Sequence, residues 1–524
     1  MKTRTLISGA LAVTAAGALT VAVTATAQAQ ETGDEALAAA IDAILADPAL
    51  VDSQAGVVVK DAATGEVLYD HEGNRRGLPG SNQKLTTVAG ALEVLGEDFT
   101  FTTELLGDRP VDGVVGGDLY LRGSGDPTML QEDYRDLAAE LAALGVSRID
   151  GDLVADDTAF DTARHADEVA WGDLQYAPGA ETSALTIGSG PDHWAGTVRL
   201  HPVGGAEVGD PVVITTVPET DYMTIVNEAV TGTETDLAVN RDPNANTVRV
   251  TGTVKAGETP DYYSRSVIGA TGLVADVFMD ALADNGIEVT GGVRLGEETP
   301  QDAGGSLALH ESAPLSRLAI DTLKPSNNLY ADTLFKTVGL HAEGEGSFSA
   351  AEAGVFAAIA EYGVDTDTIR QLDGSGMSRL DHVTPDAVTD LLIGIRDAPW
   401  FDTFHTGLPI ACQDGTLASR MCGTEAAGNV RAKTGTQTSV SALSGYATDA
   451  DGRDLVFSIV LNDHLADSVK SFEDRIAAAI AGHGADSTEA EITALADAVE
   501  TAGAEAQEDL PGGWECSWYE TGTC

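Results

Sequence analysis

The sequence predicts an α+β fold, in which one antiparallel sheet carries helices on its faces and a large β-rich insertion interrupts the chain. Strand-like segments occur near both ends, at 55–69 and 429–461, with helical patterns between them, so both ends can share one sheet. Between residues 97 and 305 the pattern changes to short apolar runs separated by glycine and aspartate turns. This change indicates one or two inserted domains.

The N-terminal part predicts two helices and two strands. In order, these are a helix at 35–46, strands at 55–60 and 66–69, and a helix at 81–95. Pro79-Gly80 breaks the chain just before the second helix. Apolar residues then recur at spacings of three and four from Leu85 to Leu95, which predicts one buried helical stripe, and Gly96 ends it.

The insertion and the C-terminal part follow. Strands are predicted at 117–121, 152–154, 197–200, 212–216 and 247–254, with loops at 204–210 and 242–246. Helical patterns return from Pro314 to Val338, broken around Lys324-Pro325, and at 349–362, 385–395 and 468–482. Strands at 429–436, 441–448 and 454–461 predict an antiparallel meander.

These changes define the predicted borders. Residues 30–96 and 306–484 form one domain, and 97–305 are the inserted domain or domains. Residues 485–524 form an acidic tail, either a solvated helix or disordered. The length beyond the first segment exceeds what one core supports and indicates about three folding units.

The first 29 residues have the pattern of a signal peptide. Lys2 and Arg4 precede an apolar stretch at 6–23, and Ala27-Gln28-Ala29 fits a cleavage site. We therefore expect an exported protein that is extracellular, cell-wall-associated or periplasmic. The alternative is a retained membrane anchor, which the alanine- and threonine-rich stretch disfavours because it is weakly apolar. We expect no stable membrane anchor.

The net charge limits the classes of binding partner, and the cysteine content predicts disulfides in an exported chain. The formal net charge of −54 excludes nucleic acid and anionic lipid as binding partners. It fits either a solvated acidic surface or adaptation to high salt. The four cysteines of an exported chain predict two disulfides in one of three pairings. The close pairs, Cys412–Cys422 and Cys516–Cys524, are favoured over the others, and no cysteine or histidine spacing predicts a metal site.

Three short motifs carry the chemistry, and each occurs once. They are Ser81-Asn82-Gln83-Lys84, Ser326-Asn327-Asn328 and Lys433-Thr434-Gly435. Ser81 and Lys84 are three residues apart, so they face the same way on a helix. A serine hydroxyl needs a base to become a nucleophile, and Lys84 is the candidate general base. A lysine acts as a base only when its amine is neutral, a form that burial and a nearby cation such as Lys433 favour.

The two later motifs supply the remaining groups. Ser326 at the helix break can pass a proton to a departing amine, and Asn328 can hold the lysine and a substrate amide. Lys433 offers a positive charge on a predicted strand, to which Thr434 and Thr436 add hydroxyl groups. We also expect Gly435 to let the strand backbone approach the substrate closely, and the N–H groups of Ser81 and Thr436 to form an oxyanion hole.

Each motif also has a purely structural interpretation. Ser81 and Ser326 could simply cap helices, and Lys433 could be an ordinary residue of an edge strand. Their joint occurrence in this order argues against these alternatives.

The three motifs together resemble the active site of the penicillin-recognising serine enzymes. The long insertion after the first motif resembles the class C low-molecular-mass penicillin-binding proteins, the D-alanyl-D-alanine carboxypeptidase/endopeptidase family. Further resemblance lies in Gly123–Pro127, Ser183–Leu185, Asp373–Arg379 and Asp414–Leu417.

This resemblance implies a transpeptidase-like catalytic domain, acylation of Ser81 by peptidoglycan stem peptides, loss of D-Ala and hydrolysis of the acyl-enzyme. It implies β-lactam antibiotics as inhibitors and no cofactor or metal. It also implies that Asp173 pairs with the distal ammonium of the donor side chain while Trp171 packs on its methylenes, against the alternative of a solvated loop acid. Gln437 and the Cys412–Cys422 pair depart from the family pattern. The competing functions are a serine β-lactamase-like hydrolase and a catalytically silent wall-binding homologue.

Overall fold

The computed structural model describes residues 32–190 and 194–506. The helices there are α1 (Gly33–Leu45), α2 (Lys84–Leu95), α3 (Gln131–Ala143), α4 (Ala270–Asp284), α5 (Leu315–Leu323), α6 (Asn328–Glu343), α7 (Phe348–Ala360), α8 (Pro385–Gly394), α9 (Phe401–Gly407), α10 (Lys470–Gly482) and α11 (Glu489–Ala506). The strands are β1 (Gln54–Asp61), β2 (Val67–His71), β3 (Thr102–Gly107), β4 (Val114–Val115), β5 (Leu119–Gly123), β6 (Arg148–Ile149), β7 (Leu153–Asp156), β8 (Thr197–Val203), β9 (Val213–Val217), β10 (Thr224–Asn227), β11 (Val230–Gly232), β12 (Asp236–Arg241), β13 (Thr247–Lys255), β14 (Tyr263–Ser266), β15 (Glu288–Val289), β16 (Val293–Leu295), β17 (Gly305–Glu311), β18 (Arg431–Gln437), β19 (Val440–Thr448) and β20 (Asp454–Asn462).

The two ends of the chain meet in one antiparallel sheet of order β18-β19-β20-β1-β2. β20 lies at its centre, where Leu455 and Phe457 enter one apolar core and Val456 and Val460 enter another. Because successive side chains along a strand point to opposite faces, both faces of the sheet are buried. The α+β prediction is confirmed.

Helices cover both faces of this sheet. One core contains apolar side chains of α2 and α5–α9, and the core on the opposite face contains those of α1, α10 and α11. The helix α11 corrects the expectation of a solvated or disordered tail for its residues. Ile492, Ala496 and Val499 recur at spacings of four and three and are buried, because one stripe of the helix packs into the core.

The inserted region contains helices as well as strands. Its largest sheet has the order β16-β7-β5-β3-β17, and three smaller sheets accompany it among the described residues. The helices α3 and α4 were not predicted, although Tyr134, Leu137 and Leu141 form the buried stripe of α3. One apolar cluster extends from Leu105 to Ala308.

The predicted borders lie close to these elements without coinciding with them. β17 pairs with β3, so strand pairing of the inserted region continues to Glu311. The signal-peptide segment at 1–29 and the Cys516–Cys524 pair lie outside the described residues. Among the residues that are described, no helix is both long enough and apolar enough to span a bilayer.

Candidate active site

Ser81 lies in a 3₁₀ turn, Gly80–Gln83, that leads into α2. The sequence predicted a helix from Ser81, and the tighter turn arises where the chain is pressed against β18. Gly80 has φ +50°, and a Cβ there would lie 3.0 Å from the backbone nitrogen of Thr436. Glycine tolerates this conformation and this proximity, which set Ser81 against the strand.

The amine of the fully buried Lys84 lies within hydrogen-bond distance of three oxygen atoms. Its Nζ lies 2.8 Å from Ser81 Oγ, 2.7 Å from Asn328 Oδ1 and 2.8 Å from the carbonyl oxygen of Ser375. An amide oxygen and a carbonyl oxygen can only accept, so they take up two N–H groups. In the neutral amine, the lone pair is then left for the Ser81 hydroxyl, which is the arrangement that a general base requires.

The second motif lies between α5 and α6. Ser326 has φ +63°, a left-handed conformation that turns the chain between the two helices. Its Oγ accepts a hydrogen bond from Lys433 Nζ at 2.9 Å. Asn328 begins α6, and its Nδ2 donates to the carbonyl oxygen of Pro178 at 3.1 Å. The inserted region thus orients this amide so that its oxygen faces Lys84.

The third motif lies on β18, where Lys433 is fully buried. Its Nζ also donates to the carbonyl oxygen of Thr434 at 2.8 Å. The Thr434 hydroxyl is buried and lies 2.7 Å from Thr416 Oγ1, whereas Thr436 lines the open cleft. A Cβ on Gly435 would lie 2.3 Å from the carbonyl oxygen of Pro79. The close approach that this glycine allows is therefore to the turn that carries the nucleophile.

The three motifs meet at one cleft. Its lining residues are Ser81, Pro178, Trp194, Ser326, Asn328, Ser375, Gly376, Met377, Thr436 and Gln437. Sequence reasoning missed Pro178, Trp194 and Ser375–Met377 as site residues. The segment Asp373–Arg379 had been singled out by its familial pattern, which was the available signal, but no role followed from it.

Gln437 connects two sides of this cleft. Its Oε1 accepts a hydrogen bond from Arg379 Nη1 at 3.0 Å, and its Nε2 donates to the carbonyl oxygen of Gly376. The residue that departs from the family pattern therefore ties the end of β18 to the loop at 372–381.

Trp171 and Asp173 are not among the residues that line the cleft. Trp171 is 74% exposed, and Asp173 begins a 3₁₀ turn. Burial raises the pKa of the Asp173 carboxyl, and the charge of Arg379 partly offsets that rise. The segment 168–173 is connected to the cleft through Arg379. The backbone N–H of Arg379 donates to the Glu168 carbonyl at 3.2 Å, and its side chain donates to Gln437, which lines the cleft. The roles of Trp171 and Asp173 in substrate binding stay predictions.

The Cys412–Cys422 disulfide is confirmed. It closes a loop that contains Asp414, whose carboxylate pairs with Lys324 Nζ at 2.7 Å, and Thr416, which contacts Thr434. The disulfide thus borders the segment that supports β18.

Several known proteins are similar to this chain in sequence and in architecture. Residues 37–482 match the model of the D-Ala-D-Ala carboxypeptidase 3 (S13) family. The chain is 43% identical over 460 residues to a D-alanyl-D-alanine carboxypeptidase of Actinomadura sp. (strain R39), with 85% of each chain covered. It is 28% identical to the D-alanyl-D-alanine carboxypeptidase DacB of Haemophilus influenzae over 80% of this chain and 87% of that one. The crystal structure of penicillin binding protein 4 (dacB) from H. influenzae is similar with a TM-score of 0.71 and 27% identity, covering 82% of this chain and 94% of that one.

Proposed function

We propose, from the premise that the chain belongs to the D-Ala-D-Ala carboxypeptidase 3 (S13) family, that Ser81 is the nucleophile of this serine-type D-Ala-D-Ala carboxypeptidase. The observation that carries the proposal is the 2.8 Å contact between Lys84 Nζ and Ser81 Oγ, with two acceptors occupying both N–H groups of the neutral amine. The substrates proposed are peptidoglycan stem peptides that end in D-Ala-D-Ala.

The proposed reaction has two stages. Lys84 takes the proton of the Ser81 hydroxyl as its oxygen attacks the carbonyl carbon of the penultimate D-alanine. The N–H groups of Ser81 and Thr436 bind the oxyanion, and Ser326 passes a proton to the departing D-alanine amine. Water then hydrolyses the acyl-enzyme.

Lys433 has two tasks in this scheme. Its ammonium attracts the terminal carboxylate of the substrate, and its hydrogen bond to Ser326 Oγ at 2.9 Å orients the hydroxyl that relays the proton. Thr436, on the open side of β18, supplies a hydroxyl for the same carboxylate. Thr434 supports the strand through Thr416.

A β-lactam would acylate the same serine and be released slowly. A relative supports this: penicillin binding protein 4 from H. influenzae, 27% identical with a TM-score of 0.67, has a crystal structure in complex with a β-lactam. We also propose export through the signal-peptide pattern at 1–29, which would bring Ser81 to the cell wall.

The first test compares Ser81→Ala with Ser306→Ala, which changes an exposed serine of β17. The purified proteins are incubated with a D-Ala-D-Ala-ended pentapeptide, with a cross-linked peptide dimer and with a fluorescent penicillin. We expect Ser81→Ala to lose D-alanine release and covalent labelling, and Ser306→Ala to retain both. Labelling of the Ser81→Ala protein would contradict the assignment, and rapid catalytic hydrolysis of the penicillin would favour a β-lactamase. Cleavage of the dimer would reveal endopeptidase activity.

A second test addresses the donor side chain. We propose that Asp173 binds its distal ammonium group, because its carboxyl group lies near Arg379, and that Trp171, two residues earlier on the same segment, covers its methylenes. Asp173→Asn should raise KM for a peptide with a free side-chain amine and leave KM unchanged for the N-acetylated peptide. An equal change for both peptides would contradict this role.

A further inference from the structure

Asp332 lies close to the reacting groups but belongs to none of the three motifs. It follows Asn328 by four residues on α6, so both side chains project from the same face of the helix. One carboxyl oxygen accepts the N–H of Gly374 at 2.9 Å, and the other lies 3.4 Å from Ser375 Oγ. The carbonyl of Ser375 accepts in turn from Lys84 Nζ at 2.8 Å. Asp332 therefore contacts Ser375, whose carbonyl oxygen in turn binds Lys84.

Two further carboxyl groups fix the same loop from its interior. Asp373 accepts the N–H groups of Ser375 at 3.0 Å and of Ser378 at 2.7 Å. Asp381 accepts the N–H of Leu372 at 2.6 Å, and both acids are at most 1% exposed. Burial, followed by the nearby charge of Asp373, raises the pKa of Asp381 well above its usual range. The loop is thus built on acids that solvent does not reach.

Burial and the surrounding charges together influence whether the Asp332 carboxyl group is charged. Burial and the nearby charge of Asp373 raise its pKa to about 8, and the charge of Lys84 opposes that rise. The charged groups that face it are Lys84 of α2, Lys336 of its own helix, and Asp373 and Asp381 of the loop. From α7, Glu352 faces the loop and accepts the N–H of Gln371 at 3.1 Å. The raised pKa favours the uncharged form of the Asp332 carboxyl group.

We propose, resting on the acyl-enzyme function assigned above, that Asp332 is a positioning residue for acylation. It keeps the Ser375 carbonyl on Lys84 and, as an uncharged group, avoids stabilising the ammonium form of the lysine. An ionised Asp332 would place a negative charge beside Lys84 and favour the protonated amine, which cannot act as a base. Asp332 would thereby set the alkaline limit of acylation.

The experiment measures the second-order rate constant for acylation by a fluorescent penicillin, from pH 6.5 to 9.5. Asp332→Ala removes the acceptor for Gly374 and Ser375, and we expect acylation to slow about 10- to 100-fold at pH 7. Asp332→Asn keeps an acceptor oxygen without a charge, and we expect a rate within about 3-fold of wild type at pH 6.5. The ratio of the Asn variant to wild type should then rise about 5-fold or more by pH 9.5, since only wild type gains the charge.

Asp126→Ala serves as the matched control, because Asp126 is a buried acid of the inserted region whose pKa is also raised by burial. It should leave the acylation rate and its pH profile unchanged. Thermal unfolding of every variant separates loss of folding from loss of positioning. A pH-independent ratio for Asp332→Asn, or an Asp332→Ala rate equal to that of Asp126→Ala, would overturn the proposal. Labelling of the wild-type protein tests the acyl-enzyme function independently of the Asp332 variants. A wild-type protein that penicillin does not label would refute that function and this inference with it.

Discussion

The central strands of the catalytic sheet and the edge strand β9 of the inserted region differ greatly in the burial of their side chains. Every residue of β19 except Thr448 is buried, and every residue of β20 except Asp454. In the inserted region, β9 alternates exposed and partly buried residues and leaves Val213 and Val217 in contact with solvent. The chemistry depends on charges fixed at hydrogen-bond distance, and a sheet packed on both faces holds them in place. The inserted region lines one side of the cleft through Pro178 and Trp194, and the Pro178 carbonyl orients Asn328.

The sharpest test of this contrast replaces one glycine in each region. In Gly435→Ala, the new Cβ would lie 2.3 Å from the Pro79 carbonyl, so either β18 or the Ser81 turn must move. We expect acylation to slow about 100-fold and the unfolding free energy to fall by about 1–3 kcal/mol. In Gly305→Ala, the matched change on β17, no atom lies within 4 Å of the new Cβ, and neither quantity should change. Equal effects of the two substitutions would remove the contrast.

The next largest effect is expected at the contact between the two regions, here called the seam, and concerns the free energy of unfolding. Lys336 of α6 has a fully buried side chain and bonds Asp161 of the inserted region at 2.6 Å. Asp161→Ala leaves that ammonium without its counterion, and we expect a loss of about 2–3 kcal/mol in urea unfolding. The loss should stay below that of a fully buried pair because Asp161 is 33% exposed.

Two comparisons test this explanation. Adding Lys336→Met to Asp161→Ala should recover part of the loss, since no unpaired buried charge remains. Glu72→Ala, in the exposed pair of Glu72 and Arg75, should cost less than about 0.5 kcal/mol. A cost at Asp161 as small as that at Glu72 would show that the seam contributes little.

Removing the Cys412–Cys422 disulfide is expected to have a similar or slightly smaller effect, confined to the catalytic region. The bond closes a loop with a sequence separation of 10, so its removal should lower the unfolding free energy by about 2–3 kcal/mol. The double variant Cys412→Ser/Cys422→Ser should show this loss, and reduction of the wild type should reproduce it. Acylation should change less than about 3-fold, because the Asp414–Lys324 ion pair still holds the loop. A much larger loss of acylation would place the disulfide among the determinants of the cleft.

The smallest expected effect concerns α1, which packs with α10 and α11 on one face of the catalytic sheet. Arg453 donates to Asp34 at 2.7 Å and holds the pKa of that carboxyl below its usual range. A lowered folded-state pKa contributes stability that is present above the unfolded pKa and is lost as pH falls through the folded value. Asp34→Asn should therefore unfold with a weaker dependence on acid between pH 5 and 3. At pH 7 it should cost less than about 1 kcal/mol, because the Asp34 side chain is 42% exposed. An unchanged acid dependence would contradict this role.

The catalytic region was largely predictable because its local patterns agree with its fold. The strands at 55–60, 441–448 and 454–461 lie within one or two residues of β1, β19 and β20. The inserted helices were missed because glycine and aspartate turns elsewhere in residues 97–305 led the whole region to be interpreted as β-rich, although α3 itself contains no glycine. α11 was misjudged as a solvated tail because its alanine- and acid-rich composition hid a narrow buried stripe.

Within the site, side chains were predictable and backbone partners were not. Ser81, Lys84, Ser326, Asn328 and Lys433 were all found from three motifs, and the structure brings them together through direct hydrogen bonds. The carbonyl groups of Ser375 and Pro178 carry no identity in the sequence, because every residue has one.

Spacing and periodicity are local properties of the chain, so they were enough to predict the antiparallel sheet and the three motifs and to favour the pairing of Cys412 with Cys422. The surroundings of Lys84, in contrast, depend on the tertiary fold. Its partners lie 3, 244 and 291 positions away along the chain. Contacts over such separations depend on packing, and so does the burial that raises the pKa of Asp332.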